Sequence, residues 1–186
     1  MVITHHGGQC FKVTFGDLTL VFDPISKGGA LPPVRFGADI ALVCRNHPDY
    51  NGIEEVTYGD KKPFVITGPG EYERAGVSVR GFLSNGPGGS VNTIYAVKLE
   101  DMTLVHLGAL SNEDLPTEAR EDIDEVDVLF VPIGGDGVLS PSAAHEFAVS
   151  LEPKIIVPMH WSGPPSGGGR MDTLEAFLKE AGGSSE

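Results

Sequence analysis

The sequence predicts an α/β fold in which layered sheets are covered by helices. Three observations lead there. Short segments of alternating or continuous apolar residues occupy most of the first 110 positions; a strand, a helix and a strand then follow one another at the spacing of a βαβ-like unit; and an amphipathic helix closes the chain.

The elements follow in order. FKVTFGDLTLVFDP alternates apolar and polar residues on both sides of Gly16-Asp17, which reads as two strands joined by a tight turn. ADIALVC is a nearly continuous apolar run that stops at Arg45, as a buried strand does before a loop. FVITG, GVSVRGF, NTIYAVKL and MTLVHLG read as further short strands, separated by GPGEYE, SNGPGGS and an acidic turn at Glu100-Asp101. After DVLFVPIGG comes SPSAAHEFAVSL, a helix that Ser140 caps with Pro141 at its first position, and KIIVPMH returns as a strand. MDTLEAFLKEAGG is an amphipathic helix with Leu174, Phe177 and Leu178 on one face and Gly182-Gly183 past its end. SNGPGGS and SGPPSGGGR are too short and too closely flanked by patterned segments to be linkers, so residues 1–186 are expected to form a single domain. The second of these loops is placed to close over a bound molecule or to serve as slack chain.

With 40% hydrophobic and 21% charged residues over 186 positions, the chain matches a soluble domain able to bury a core. MVITHHGGQCFKV lacks a basic segment followed by an apolar run, and no stretch approaches the ~20 apolar residues that cross a bilayer. A cytoplasmic location without membrane contact is the expectation. The formal charge of −13 repels phosphate backbones, and the cations are scattered, Lys61-Lys62 being their one adjacent pair, so no nucleic-acid partner and no nuclease role is expected. Cys10 and Cys44 lack CxxC spacing and read as buried thiols.

Four places put chemistry at strand ends: Asp23 in VFDP, His47 with Asp49 in NHPDY, His106 in VHLGA and His160 in VPMHW. Each has a structural counterpart. Asp23-Pro24 can open a turn, Asp49 can cap a short helix starting at Asn51, and single strand histidines are more often hydrogen-bonded structural residues than ligands. His5-His6 and His145 are read as structural or surface residues. Glu71 and Tyr72 in TGPGEYE join Asp23 as candidate pocket residues.

In their order, ITHHGGQCFKVTFGDLTLVFDP, VCRNHPDYNG, TGPGEYE, NTIYAVKLEDMTLVHLGAL, VLFVPIGG and EPKIIVPMHW resemble the short, hydrolase-like branch of the metallo-β-lactamase superfamily, which includes ascorbate-phosphate lactonase-like proteins. The resemblance implies a four-layer αββα sandwich. It also implies a metal motif, His-x-His-x-Asp-His, followed by a later histidine, an aspartate in an HLGD-like turn and a final histidine in PMH. Arg45 stands at the first histidine, His47 matches the second, Asp49 the aspartate, and Tyr50 replaces the last. No histidine lies between Asp49 and Val105, Ala109 occupies the bridging aspartate's position, and His160 matches the final histidine. His106 falls where the family keeps a residue that supports the site, and with Asp49 it is the candidate catalytic pair.

His47, Asp49 and His160 are therefore the metal candidates, too few to cage two ions beside the permanent charge of Arg45. Two readings stand. In the first, the chain is a metal-free binding or pseudoenzyme relative, in which Arg45 pairs with Asp49 or another acid, Tyr50 fills the vacated volume and the cleft takes a small anionic molecule or a second copy of the chain. In the alternative it is a mononuclear hydrolase of small phosphoesters or lactones, holding one zinc or manganese ion with His106 or Glu71 available as a fourth ligand. A further chemistry would use Tyr50 or Glu71 as acid or base.

Overall fold

A computed structural model describes residues 1–123, 125–134, 137–161 and 171–182. The chain divides into two compact units, Met1–Gly68 and Pro69–Glu186. Each carries one mixed sheet, and helices accompany the second, which establishes the α/β class.

The first unit has the strand order β1-β2-β3-β4-β5: Val2–Gly7, Cys10–Phe15, Leu18–Phe22, Ile40–Leu42 and Phe64–Ile66. The expected hairpin is β2–β3, paired antiparallel from Phe11↔Phe22 to Phe15↔Leu18, with Gly16 at φ 55° in its turn. β3, β4 and β5 run parallel to one another. The run ADIALVC yields three ladder residues, Ile40–Leu42, with further bonds on either side. Asp39 N–H donates to Thr19 O, and Cys44 N–H goes to the Asp23 carboxylate. Cys10, Val21, Ile25, Val34, Ala38, Ala41 and Val56 form the core of this unit.

In the second unit the order is β11-β10-β9-β8-β7-β6. β6 (Gly70–Arg74), β7 (Val77–Asn85), β8 (Val91–Leu99) and β9 (Met102–His106) form an antiparallel meander; β10 (Val128–Pro132) and β11 (Ile155–Met159) add in parallel. Between the last two lies α2 (Pro141–Ser150), where Ser140 Oγ accepts the Ala143 N–H at 3.3 Å and Pro141 takes the first turn, as the sequence predicts. Ala144, Phe147 and Ala148 turn its inner face to a core that includes Leu107, Leu129, Val131 and Phe177 of α3 (Met171–Glu180). The stop at Gly183 and the loop SGPPSGGGR lie outside the described residues.

Three elements depart from the sequence reading. GPGEYE is not a separator but contains edge strand β6, joined to β7 by Ala75 (φ 54°) and Gly76 (φ 78°). Edge strand β1 and the six-residue helix α1 (Thr117–Asp122) also went unread. All three are short and exposed, and therefore carry little apolar periodicity.

Candidate functional site

Parallel strands gather functional groups in the loops at their carboxyl ends. In the first unit, Asp23 follows β3 and the segment from Val43 follows β4. Asp23 is fully buried in a left-handed conformation (φ 44°), its N–H donating to Leu42 O at 2.8 Å and its Oδ1 accepting the Cys44 N–H at 2.7 Å. Burial pushes its carboxyl up to about 7, opposed by the bonds it receives from the Cys44 amide and thiol. The same burial pushes the Cys10 thiol up to about 12 and raises that of Cys44, so both cysteines stay protonated, unbridged and inert, as the sequence suggests.

The loop after β4 is built to present His47 and Asp49. His47 O accepts the N–H groups of Tyr50 (2.8 Å) and Asn51 (3.1 Å), folding the segment into a turn. A second loop clamps it: Ser26 donates to Pro48 O through both its hydroxyl (2.7 Å) and its amide (3.0 Å), and Gly52 N–H reaches Pro24 O at 2.7 Å. Gly52 is required there, since a Cβ would lie 2.6 Å from the Ile25 backbone. The Asp49 carboxylate accepts the Ala30 N–H at 2.5 Å through Oδ1 and stands 3.5 Å from His47 Nδ1 through Oδ2. It does not cap a helix at Asn51; the next helical turn is a 3-10 segment, Glu54–Val56, whose N-cap is Ile53. Nor does it pair with Arg45 among the ion pairs of the described residues. Tyr50 is 6% exposed with its ring 5.5 Å from that of His47, and burial, then Asp23 and Asp49, hold its phenol protonated. That excludes it as a base near neutral pH and fits the expectation that it fills volume.

The second unit holds the other candidates. His106 ends β9, fully buried, with its ring 5.6 Å from Phe130 and its Nδ1 accepting the Gly108 N–H at 3.2 Å. Ala109 is held by its backbone: its N–H donates to Asn92 Oδ1 at 2.8 Å, while Asn92 Nδ2 donates to Leu107 O (2.9 Å) and Ser84 Oγ (2.8 Å). His160 follows β11 at φ 57°, and Gly134 is needed beside it, because a Cβ there would meet His160 O at 1.8 Å. Glu71 is exposed on β6 and pairs with Arg80 at 3.0 Å, while Tyr72 donates to Pro69 O at 3.1 Å. Both have structural occupations. Asn92 escaped the sequence reading, although a carboxamide inside the apolar run NTIYAV is itself a signal of a buried polar anchor.

Strain marks two of these positions. Among the described residues, Asp23, Ala75, Glu100, Glu152 and His160 are the non-glycine residues with positive φ, and the first and last are site candidates at strand ends.

His47 Nδ1 lies 3.5 Å from Asp49 Oδ2 and accepts the Asp49 N–H at 3.3 Å, so the ring nitrogen left for an ion is Nε2. Of the altered family positions, Ala109 offers no donor, Tyr50 keeps its proton, and Arg45 carries a fixed positive charge.

A family model described as a beta-lactamase superfamily domain matches residues 2–160. A UPF0173 metal-dependent hydrolase of Enterococcus faecalis is 26% identical, with 87% of each chain covered. A UPF0173 protein of Pyrococcus furiosus is 33% identical over 87% of this chain and 83% of its own. Among solved structures, a Thermotoga maritima protein assigned as a Zn-dependent hydrolase of the metallo-beta-lactamase superfamily is 30% identical, covers 95% of this chain and 84% of its own, and superposes with a TM-score of 0.77.

Proposed function

The chain belongs to the beta-lactamase superfamily domain family, and from that premise we propose that it is a metal-dependent hydrolase working with one divalent ion, zinc or manganese, on small phosphoesters or lactones. The comparisons favour this reading over the metal-free relative, because similar chains are named metal-dependent hydrolases. The observation that carries it is the pairing of His47 and Asp49, an imidazole and a carboxylate side by side on a clamped, partly exposed loop.

His47 and Asp49 would hold the ion; His160, which matches the family's final histidine, remains the third metal candidate. The chemistry such an ion supplies is Lewis acidity toward a carbonyl or phosphoryl oxygen and acidification of a water molecule. Asp49, anchored through Oδ1 by the Ala30 N–H, keeps Oδ2 toward His47, the oxygen with which it would hold the ion. His106 acts from within the fold as a positioning residue, through its bond from the Gly108 amide. Arg45 supplies a fixed positive charge at the head of the loop, suited to a developing oxyanion.

Metal analysis of tag-free protein prepared with zinc or manganese in excess tests this, together with hydrolysis of p-nitrophenyl phosphate and of a thiolactone with and without chelator. One ion per chain and chelator-sensitive turnover, both lost in His47→Ala, are expected. Protein without stoichiometric metal and without turnover would return the metal-free reading.

A further inference from the structure

The first unit carries a cavity of about 300 Å³ lined, among the described residues, by Lys27, Arg35, Glu54, Glu55, Thr57 and Tyr58. Its walls are held by main-chain bonds. Residues 34–38 are tied to the 3-10 turn Glu54–Val56, where Phe36 N–H donates to Glu55 O at 3.3 Å and Ala38 N–H to Val56 O at 2.9 Å. Gly37 permits this approach, since a Cβ there would stand 3.0 Å from Tyr58 O. Tyr58 is bridged in turn to Lys61, whose amine donates to the Asp39 carboxylate at 2.6 Å.

The lining carries both signs of charge and an aromatic ring. Lys27 pairs with Glu55 at 3.5 Å. The Arg35 guanidinium lies over the Tyr58 ring, 5.4 Å from its centroid, a cation–π contact that orients the group without using its N–H donors. With Lys27 and Glu55 engaged with each other, Arg35 and Glu54 are the second cation and anion of the wall, and the Tyr58 ring is 56% exposed. A nucleotide or other polyanion entering here meets Glu54 and Glu55, and a simple cation meets Lys27 and Arg35. A molecule with one charge of each sign finds a partner for both, because a guanidinium takes a carboxylate through two parallel N–H bonds and a carboxylate takes an ammonium. The volume stands at the lower end of the roughly 300–1,000 Å³ of small-molecule sites, which suits a ligand of amino-acid size.

We propose that this cavity binds an α-amino acid with an aromatic side chain, its carboxylate on Arg35, its ammonium on Glu54 and its ring against Tyr58. The assignment is independent of the hydrolase reading, since it calls on none of His47, Asp49 and His160.

The probe is L-phenylalanine, titrated into the full chain with chelator present and set against hydrocinnamate, which lacks the ammonium, phenethylamine, which lacks the carboxylate, and phenyl phosphate. Binding is read from the backbone amide resonances of Arg35, Glu54 and Thr57. Saturable shifts at all three are expected with L-phenylalanine, together with at least tenfold weaker binding of hydrocinnamate and of phenethylamine. Arg35→Leu and Glu54→Gln, both at exposed positions, should each weaken L-phenylalanine at least tenfold while leaving resonances remote from the cavity in place. The comparison of ligands uses the unaltered protein, so its outcome does not depend on how a variant folds. No saturable shift with L-phenylalanine, equal binding of either singly charged analogue, or tighter binding of phenyl phosphate would overturn the assignment.

Discussion

The Asp23 carboxylate receives the Cys44 backbone N–H at 2.7 Å, inside the fold and at the point where two parallel strands end. This bond replaces a ladder bond that β4 would otherwise have made, and it turns the chain toward Arg45 and His47. The loop bearing the candidate metal donors therefore begins on a buried acid.

Buried charge makes that anchor sensitive to pH. The Asp23 carboxyl is raised by burial from 3.8 to about 7, so between those values the folded protein binds a proton that the unfolded chain does not. The sign follows. Its contribution to stability is fully present below about pH 4, declines as pH rises, and is lost above about pH 7. Asp23→Asn, which keeps an oxygen for the Cys44 amide but cannot ionise, should flatten this part of the profile. Thermal melts from pH 4 to 8 compare the two; equal slopes would show that Asp23 does not titrate in this window.

Metal should stabilise the native chain through His47. A ligand at a hundred times its dissociation constant adds about 2.7 kcal/mol, which for a chain of this size raises Tm by about 5–10 °C. Manganese is the cleaner probe, because zinc also binds thiols and histidines of unfolded chains. His47→Ala should abolish the shift while leaving the apo Tm nearly unchanged, since this ring is 45% exposed. Asp49→Ala should lower both, because it also removes the acceptor of the Ala30 N–H.

How much was legible in the sequence depended on whether burial imposed a period. The β2–β3 hairpin and the capped α2 were readable because alternation and the Ser140-Pro141 pair are local signals of sides and ends. The strand β6 was not, because its residues are mostly exposed and its turn uses Ala75 where asparagine or glycine would announce a hairpin. At the candidate site, residue types at motif spacing pointed to His47 and Asp49, but the clamp from Ser26 and Ala30 is a contact across about twenty positions that no local pattern encodes. The role assigned to Asp49 as a helix cap failed for the same reason.

Ala75 gives a direct test of that turn. At φ 54° its Cβ crowds the following carbonyl, a strain of roughly 1–2 kcal/mol that glycine does not suffer. The residue is exposed and makes no core contact, so little else changes. Allowing for the greater freedom of glycine in the unfolded chain, Ala75→Gly should stabilise by about 0.5–1 kcal/mol, and Ala75→Asn by a similar amount. A lower denaturation midpoint in both variants would show that the turn is not strained.

Asn92 offers the sharpest structural test in the second unit. Its fully buried carboxamide satisfies the Ala109 N–H, the Leu107 carbonyl and the Ser84 hydroxyl at once, holding the segment where the family keeps its bridging aspartate. Removing it leaves an amide and a carbonyl without their partner in a dry interior, at about 1–3 kcal/mol each. Asn92→Ala should therefore lose about 3–4 kcal/mol and Asn92→Asp a comparable amount, since a carboxylate can accept the Ala109 N–H but cannot donate to Leu107. Ser84→Ala removes one partner that the other two bonds outlast, and about 1 kcal/mol is expected. Urea denaturation of the three variants orders them; a loss under 1 kcal/mol for Asn92→Ala would mean that water or a shifted backbone takes over its bonds, and that the loop is not fixed by this side chain.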